Sequence, residues 1–173
     1  MSGKVYRFDL ITTVLMDMDG VLTDGRVITL ETGEHLRYLS SKDAYAIQHA
    51  VKAGYRLALV SGGYSAGIEK RMHSLGVTDV FMRVPTKLQV YEEYKLTHNL
   101  TDEQVLYIGD DMPDYEVMQA AGIGCAPADA AADILEVADY ITQAPGGQGA
   151  VREVIEKLMK VQDTWFNPDT FVW

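Results

Sequence analysis

The chain alternates short apolar runs with longer stretches in which apolar residues recur every three or four positions. Short runs bounded by Gly, Asp or Ser are typical of the buried strands of a parallel sheet. The runs occupy residues 14–16, 57–60, 80–82, 105–108 and 123–126, and a weaker one occupies residues 140–142. We therefore predict a strand at each of these places.

The stretches between the runs have the spacing and the boundaries of amphipathic helices. Ser65 and Pro113 suit the first turn of a helix, and Gly54, Gly76 and Gly122 follow the last periodic residues. The apolar residues at helical spacing are Ala44, Ile47, Ala50, Val51, Ile68, Met72, Leu75, Val117, Met118, Ala121, Val151, Val154, Ile155, Leu158 and Met159. Strands that alternate with helices predict an α/β fold with a doubly wound, mainly parallel sheet.

Two segments depart from this alternation. Residues 25–40 alternate apolar and polar positions on both sides of Gly33, which predicts an inserted β-hairpin with Gly33 in its turn. Residues 163–173 lack helical spacing and are rich in aromatic side chains, so this tail either packs on the domain or is disordered. We predict one domain over residues 1–162, followed by a C-terminal tail over residues 163–173.

The composition is that of a globular protein, and the net charge argues against some classes of binding partner. The chain has 173 residues, of which 47% are hydrophobic and 23% charged, and its formal net charge is −10. This charge argues against binding to nucleic acid or to an anionic membrane, and no apolar run approaches the roughly 18 residues of a membrane span. The start lacks the apolar stretch of a signal peptide, and Cys125 is the single cysteine, so we expect a cytoplasmic protein without an intrachain disulfide.

Side chains capable of chemistry follow several of the predicted strands. Asp17 and Asp19 follow the first strand, Ser61 follows the second, and Asp110 follows a later one. Lys87 opens a helix after another strand. Because ligands of open α/β sheets bind outside the carboxyl ends of the strands, we expect these five side chains to converge on one edge.

This set of side chains predicts a magnesium and phosphate site. Neighbouring carboxylates disfavour joint ionisation, and Mg²⁺ relieves this repulsion by taking one or two carboxylates and a phosphate as oxygen ligands. Ser61 and Lys87 would bind phosphate oxygens. One carboxylate of the pair Asp17 and Asp19 can attack phosphorus while the other transfers protons, and Gly20 lets the chain turn so that both stay near one substrate.

The order of these motifs resembles that of the haloacid dehalogenase superfamily of phosphohydrolases. The first motif of that superfamily, DxDG[VT][LI]TD, is matched by DMDGVLTD at residues 17–24. A strand that ends in Ser or Thr is matched at Ser61, and a helix-borne lysine is matched by Lys87. The fourth motif, GDD followed by a further Asp, is matched by residues 109–111 and Asp114.

A narrower resemblance is to the 3-deoxy-D-manno-octulosonate 8-phosphate (KDO8P) phosphatases, which act in lipopolysaccharide sugar synthesis. It is carried by DMDGVLTDGR, the hairpin, YIGDDMPD and GGQGAVREV. It implies that Asp17 is the nucleophile and Asp19 the general acid/base. It also implies that Mg²⁺ is held by the Asp17 carboxylate, the Asp19 backbone carbonyl and Asp110, and that Ser61 and Lys87 hold the phosphoryl group.

The same resemblance implies that Asp111 and Asp114 lie at the margin of the metal. Asp114 also suits the first turn of a helix, where a carboxylate favours the helix dipole, so both roles stay open for it.

The resemblance also implies a chain without a cap domain that forms a homotetramer, in which a neighbour closes each site. The spacing agrees, because only 43 residues lie between Asp17 and Ser61 and only 25 between Ser61 and Lys87. The hairpin of residues 25–40 would be the assembly element. Residues 146–149 would reach a neighbouring site, unless they are only a loop before the last helix.

The chain departs from this family where cations near the substrate are expected. The family often has TGR where this chain has Ser61, Gly62 and Gly63, and GGRGAVRE where it has Gln148. Relatives that act on a nonulosonate 9-phosphate (KDN9P) carry Glu in place of Gly63. The candidate substrate-binding residues are Gly62, Gly63, Arg71, Gly147 and Gln148, with Arg83 and Arg152 as further candidate cations.

Three other functions compete with a KDO8P phosphatase. One is a phosphatase of another small phosphomonoester, such as a nonulosonate 9-phosphate of the KDN or sialic acid type. Another is a receiver-like phosphoacceptor domain, but a receiver carries its phosphorylated Asp at the end of its third strand, whereas Asp17 follows the first. The last is a non-catalytic binding protein on the same fold, which the intact set of motifs argues against.

Overall fold

The apolar runs form strands because a parallel sheet buries them on both faces. The computed structural model describes residues 6–172. The strands are β1 (Thr13–Met16), β2 (Ile28–Thr29), β3 (His35–Leu36), β4 (Arg56–Val60), β5 (Asp79–Phe81), β6 (Val105–Ile108), β7 (Ile123–Ala126) and β8 (Tyr140–Ile141). Within the described range, six of them form a parallel sheet in the order β5-β4-β1-β6-β7-β8, and β2 pairs with β3 as a separate antiparallel hairpin.

Helices connect the strands and cover both faces of the sheet. They are α1 (Ser41–Lys52), α2 (Ala66–Ser74), α3 (Lys87–His98), α4 (Tyr115–Ala120), α5 (Ala132–Val137) and α6 (Ala150–Val161). Short 3₁₀ turns occur at Phe8–Leu10, Asp102–Gln104, Met112–Asp114 and Pro168–Phe171. The Ser65 side chain accepts a hydrogen bond from the Ile68 N–H and so caps α2 as predicted.

The core lies in two layers, one on each face of the sheet. Val14 and Met16 of β1 pack into the layer under α1, α2 and α6, whereas Leu15 packs into the layer under α3, α4 and α5. Successive residues of β1 therefore serve opposite layers, as a strand with helices on both faces requires. This arrangement confirms the predicted doubly wound sheet.

The predicted elements agree with the structure at most positions. Each predicted strand is present, and its ends differ by one residue or less. The sequence pattern missed α5, because this six-residue helix buries only Ile134 fully and so carries almost no periodic signal. Pro113 lies in a 3₁₀ turn before α4 rather than in α4 itself.

The hairpin is present but shorter than its sequence pattern indicates. Of residues 25–40, only Ile28–Thr29 and His35–Leu36 pair as strands, and Gly33 adopts a φ of +83° in the turn, as predicted. Both strands are exposed to solvent in the single chain. The described chain between β1 and β4 holds only this hairpin and α1 besides connecting residues, so no cap domain is inserted there.

The C-terminal tail packs on the domain as far as Val172. The Trp165 side chain is only 5% exposed and belongs to the core layer under α1 and α6. The Trp165 carbonyl lies 2.8 Å from Nε2 of His49 on α1. Trp173, the last residue of the predicted tail, lies outside the described residues, as do residues 1–5 of the predicted domain. No helix within residues 6–172 is both long and apolar enough to cross a membrane.

Candidate active site

A cleft lies at the carboxyl edge of the three central strands. Met16 of β1 is level with Leu59 of β4 and Ile108 of β6, so the residues that follow these strands share one edge. The cleft has a volume of about 790 Å³. Its lining includes all the predicted catalytic and metal-binding side chains, which are Asp17, Asp19, Ser61, Lys87 and Asp110.

A buried lysine joins two of the carboxylates in this cleft. Lys87 is the first residue of α3, and its side chain is only 5% exposed. Its Nζ atom lies 2.8 Å from Asp17 Oδ1 and 2.7 Å from Asp114 Oδ1. Although burial lowers the pKa of Lys87, the charges of Asp17 and Asp114 raise it above the ordinary lysine value. The ammonium group therefore stays charged at neutral pH and faces the nucleophile candidate.

Both carboxylate oxygens of Asp114 accept hydrogen bonds from neighbouring groups. Its Oδ1 accepts hydrogen bonds from Lys87 and from the Tyr107 hydroxyl at 2.6 Å, and its Oδ2 accepts from the Asp110 N–H at 3.2 Å. A Cβ atom at Gly109 would overlap the Asp114 side chain, so glycine is needed there. Asp114 thus holds the backbone before the Met112–Asp114 turn, and its side chain makes no capping hydrogen bond to α4. Its role at the margin of a metal stays a prediction.

The acidic cluster is short of positive charge in the absence of a metal. Burial, followed by the nearby charge of Asp114, raises the pKa of Asp17 to about 6 despite the attraction of Lys87. Burial, followed by the charges of Asp17 and Asp114, raises the pKa of Asp110 to about 8. A single lysine therefore does not neutralise the three carboxylates.

The residues of this cluster fit a hard divalent cation. Asp17, Asp110 and Asp114 each offer an oxygen within 4.8 Å of the others. Asp110 Oδ1 is buried and has no hydrogen-bond partner within residues 6–172. Because a buried carboxylate oxygen without a donor is costly, its environment suits a cation ligand. Asp110 Oδ1 has the free oxygen that such a cation needs, whereas both oxygens of Asp114 accept hydrogen bonds.

Gly20 brings the turn after β1 against this cluster. Its φ is +90°, and a Cβ atom there would overlap the Asp110 carboxylate. Only glycine therefore allows the backbone after Asp17 and Asp19 to pass so close to Asp110.

Asp19 is held by two side chains that the sequence analysis did not single out. Thr23 donates its hydroxyl to Asp19 Oδ1 at 3.0 Å. Arg37 donates Nε–H to Oδ1 at 2.7 Å and Nη2–H to Oδ2 at 2.9 Å. Thr23 belongs to the matched first motif and could have been found there, whereas Arg37 directly follows β3 in the hairpin segment and has no local signal.

Ser61 lies at the cleft as predicted. It is buried at the end of β4, and its hydroxyl accepts a hydrogen bond from the Gly63 N–H at 3.1 Å. Gly62 and Gly63 also line the cleft. The hydroxyl of Ser61 can still donate its own hydrogen to an anion in the cleft.

Comparisons with known proteins agree with this geometry. The sequence model of the haloacid dehalogenase-like hydrolases matches residues 79–155. The 3-deoxy-D-manno-octulosonate 8-phosphate phosphatase of Yersinia pestis is 36% identical over 153 residues, which cover 88% of this chain and 82% of that protein. The chain belongs to the KDO8P phosphatase family. The Escherichia coli K12 member is 34% identical over 93% of this chain and 86% of its own length.

Solved structures of KDO8P phosphatases share the fold. The Y. pestis crystal structure superposes with a TM-score of 0.89 at 35% identity and covers 91% of this chain and 85% of its own. A Moraxella catarrhalis KDO8P phosphatase in complex with magnesium, phosphate and KDO superposes with a TM-score of 0.90 at 30% identity, over 95% of both chains.

The remaining candidate substrate-binding residues lie outside the cleft of their own chain. Arg71 is on α2 and lies within 3.4 Å of the Ser74 hydroxyl. Gly147 donates its N–H to the Val21 carbonyl at 2.9 Å and packs behind the turn that carries Asp19. Gln148 lines a separate cavity beside α6. That residues 146–149 of this KDO8P phosphatase reach a neighbouring site, and that Arg71 binds substrate, stay predictions.

Proposed function

We propose that this protein is a Mg²⁺-dependent phosphatase that hydrolyses KDO8P to KDO and phosphate. The reaction would proceed through an aspartyl-phosphate on Asp17. One observation carries the proposal: Asp17, its ion-pair partner Lys87 and the donor-free oxygen of Asp110 face one cleft, with Asp19 two residues from Asp17. This is the set of groups that phosphoryl transfer to a carboxylate needs.

Each residue of the cleft would have a separate role in the reaction. Asp17 attacks phosphorus, and the ester oxygen leaves with the proton that Asp19 supplies. Water, deprotonated by Asp19, then releases phosphate from Asp17. Lys87 and the Ser61 hydroxyl bind phosphoryl oxygens and orient them.

Asp17, Asp110 and the Asp19 backbone carbonyl would hold Mg²⁺, which is bound in the M. catarrhalis relative. When bound, it would neutralise the phosphoryl oxygens and part of the carboxylate charge. Asp114 holds Lys87 and the Asp110 backbone in place through the bonds described above.

We also propose that the chain assembles as a homotetramer through the hairpin of residues 25–40. The hairpin exposes a row of large apolar side chains that one chain leaves uncovered: Val27, Ile28, Leu30, Leu36 and Tyr38. Burying such a patch is the usual driving force for association. A neighbouring chain at this place would also narrow the open cleft. A cytoplasmic location stays a proposal that rests on the sequence.

A nonulosonate 9-phosphate, or another small phosphomonoester, is the second candidate substrate. Gly63 lines the cleft where family members often carry arginine, so a cation for the sugar carboxylate is missing at this position. A different sugar would use the same phosphoryl chemistry.

The test is phosphate release with Mg²⁺ from KDO8P, KDN9P and hexose phosphates. We expect kcat/KM to be highest for KDO8P. The Asp17→Asn variant should lose turnover on every ester, whereas Asp133→Asn, which removes an exposed carboxylate from α5, should retain it. Residual turnover by Asp17→Asn close to that of the unaltered protein would exclude Asp17 as the nucleophile. Equal rates on all esters would support the phosphatase activity but refute the assignment of KDO8P as the substrate.

A further inference from the structure

Two loops that follow β7 and β8 lie beside the cleft without lining it. The β7–α5 loop consists of residues 127–131, and the β8–α6 loop consists of residues 142–149. Because β6, β7 and β8 are neighbours in the parallel sheet, the segments that follow these strands meet at the edge that holds the cleft. Any effect of these loops on catalysis must therefore act through the residues that they hold.

Gly146 of the β8–α6 loop packs directly behind Gly20. A Cβ atom at Gly146 would overlap the Gly20 carbonyl, just as a Cβ atom at Gly20 would overlap the Asp110 carboxylate. The next residue, Gly147, donates its N–H to the Val21 carbonyl at 2.9 Å. The three segments therefore form a close stack, in which Gly20 lies between Gly146 and Asp110.

The β7–α5 loop joins the two outer members of this stack. Asp129 Oδ1 accepts a hydrogen bond from the Gly146 N–H at 2.8 Å. Two residues on, the Ala131 N–H donates to the Asp110 carbonyl at 2.8 Å. This loop thus reaches from Asp110 to Gly146 and closes a ring of contacts around Gly20. Gly20 cannot move away from Asp110 unless Gly146 moves too, and the bond to Asp129 opposes that movement.

We propose that the β7–α5 loop sets the distance between the turn after β1 and Asp110, with Asp129 as its positioning residue. This inference rests on the proposed function, in which Asp110 and the Asp19 carbonyl are among the ligands of Mg²⁺. Asp19 immediately precedes Gly20, so the ring of contacts fixes the separation of two proposed ligands that follow different strands. Asp129 is exposed and does not line the cleft, so its hydrogen bond to Gly146 is the route by which it would act.

The test is a calorimetric titration of the protein with Mg²⁺ in the absence of substrate. Asp129→Ala removes the acceptor for the Gly146 N–H and should raise the Kd for Mg²⁺ by about threefold to tenfold, as the loss of one hydrogen bond allows. Asp129→Asn keeps a side-chain oxygen at the same place and should retain the Kd of the unaltered protein to within about twofold. Asp133→Ala removes an exposed carboxylate from α5 and controls for the lost charge.

Amide hydrogen exchange of the metal-free protein gives a second readout that does not depend on Mg²⁺. In Asp129→Ala the Gly147 N–H should exchange faster than in the unaltered protein, because its bond to the Val21 carbonyl spans the contact between the loop and the turn. The Val77 N–H, which donates to the Met72 carbonyl at 3.1 Å near the other edge of the sheet, should keep its exchange rate.

The outcomes separate this proposal from the proposed function. An unchanged Mg²⁺ Kd in folded Asp129→Ala would overturn the proposal, and so would an equal rise of Kd in Asp129→Asn or Asp133→Ala, since lost charge would then be the cause. Equally accelerated exchange at Gly147 and Val77 would overturn it too, because Asp129 would then only stabilise the fold. Absence of Mg²⁺ binding and of phosphate release from KDO8P by the unaltered protein would refute the proposed function instead, and faster exchange at Gly147 alone would still support the positioning role of Asp129.

Discussion

Replacing Asp110 by Asn should stabilise the metal-free protein while removing its response to Mg²⁺. Burial and the charges of Asp17 and Asp114 raise the pKa of Asp110 from 3.8 to about 8. The folded state therefore binds more protons than the unfolded state between these pH values. Because stability falls with pH wherever the folded state binds more protons, the metal-free protein should lose stability as the pH rises through this window.

The size of this change in unfolding free energy follows from the pKa shift of Asp110. At about 1.4 kcal/mol per pH unit, a rise of the Asp110 pKa from 3.8 to about 8 corresponds to roughly 6 kcal/mol as an upper limit. Asp110 is half-buried at the open cleft, so solvent screening reduces this figure to on the order of 2 kcal/mol. The Asp110→Asn variant carries no charge there at any pH. Without metal, the free energy of unfolding of this variant should thus equal that of the unaltered protein near pH 4 and exceed it by about 2 kcal/mol above pH 8.

The assay is urea unfolding in a metal chelator at pH 4 and pH 8.5, repeated with saturating Mg²⁺. Mg²⁺ should stabilise the unaltered protein at pH 8.5 and have little effect on Asp110→Asn. The control is Asp111→Asn, which removes an exposed neighbouring charge but keeps the side-chain oxygen that accepts from the Met112 N–H at 2.8 Å. If Asp110→Asn is no more stable than the unaltered protein at pH 8.5 in the chelator, the repulsion inferred for this cluster is absent.

Two further predictions concern the tail and the cleft. Trp165→Ala should lower the free energy of unfolding by about 3 kcal/mol because it empties a core position, whereas Phe166→Ala, which alters a side chain that is 72% exposed, should change it little. Urea unfolding of both variants checks this, and equal effects would mean that the tail does not belong to the core. Gly63→Arg should lower KM for KDO8P by about tenfold, since a Cβ atom there comes closest to the flexible end of Met18, at 3.2 Å. Gly63→Gln controls for size, and the idea fails if the two folded variants have the same KM.

The sequence predicted which side chains meet in the cleft, because their positions follow from a simple rule. Each lies just after an apolar strand or at the start of a helix, and the parallel order of the strands brings these places together. Arg37 could not be predicted in this way, because it reaches Asp19 from a hairpin whose path over the cleft is not encoded by local periodicity. Tyr107 was missed for a different reason, since it is one of four buried residues in β6 and only the structure shows its hydroxyl on Asp114.

The tail shows a second limit of the sequence pattern. Trp165 is buried by contacts with α1 and α6, which are distant along the chain. Aromatic residues without periodicity are equally consistent with packing and with disorder, so the pattern alone left both open.

Because β1 lies in the middle of the sheet, the catalytic cleft depends on three strands that are distant along the chain. β1 pairs with β4 on one side and β6 on the other, and these three strands bring together residues that are far apart in the chain. A fragment that lacks β1 leaves β4 and β6 without the strand that lies between them and leads into Asp17. A protease that cuts the exposed hairpin would thus yield two fragments that are inactive alone, and any recovered activity would report that β1 has returned between its neighbours.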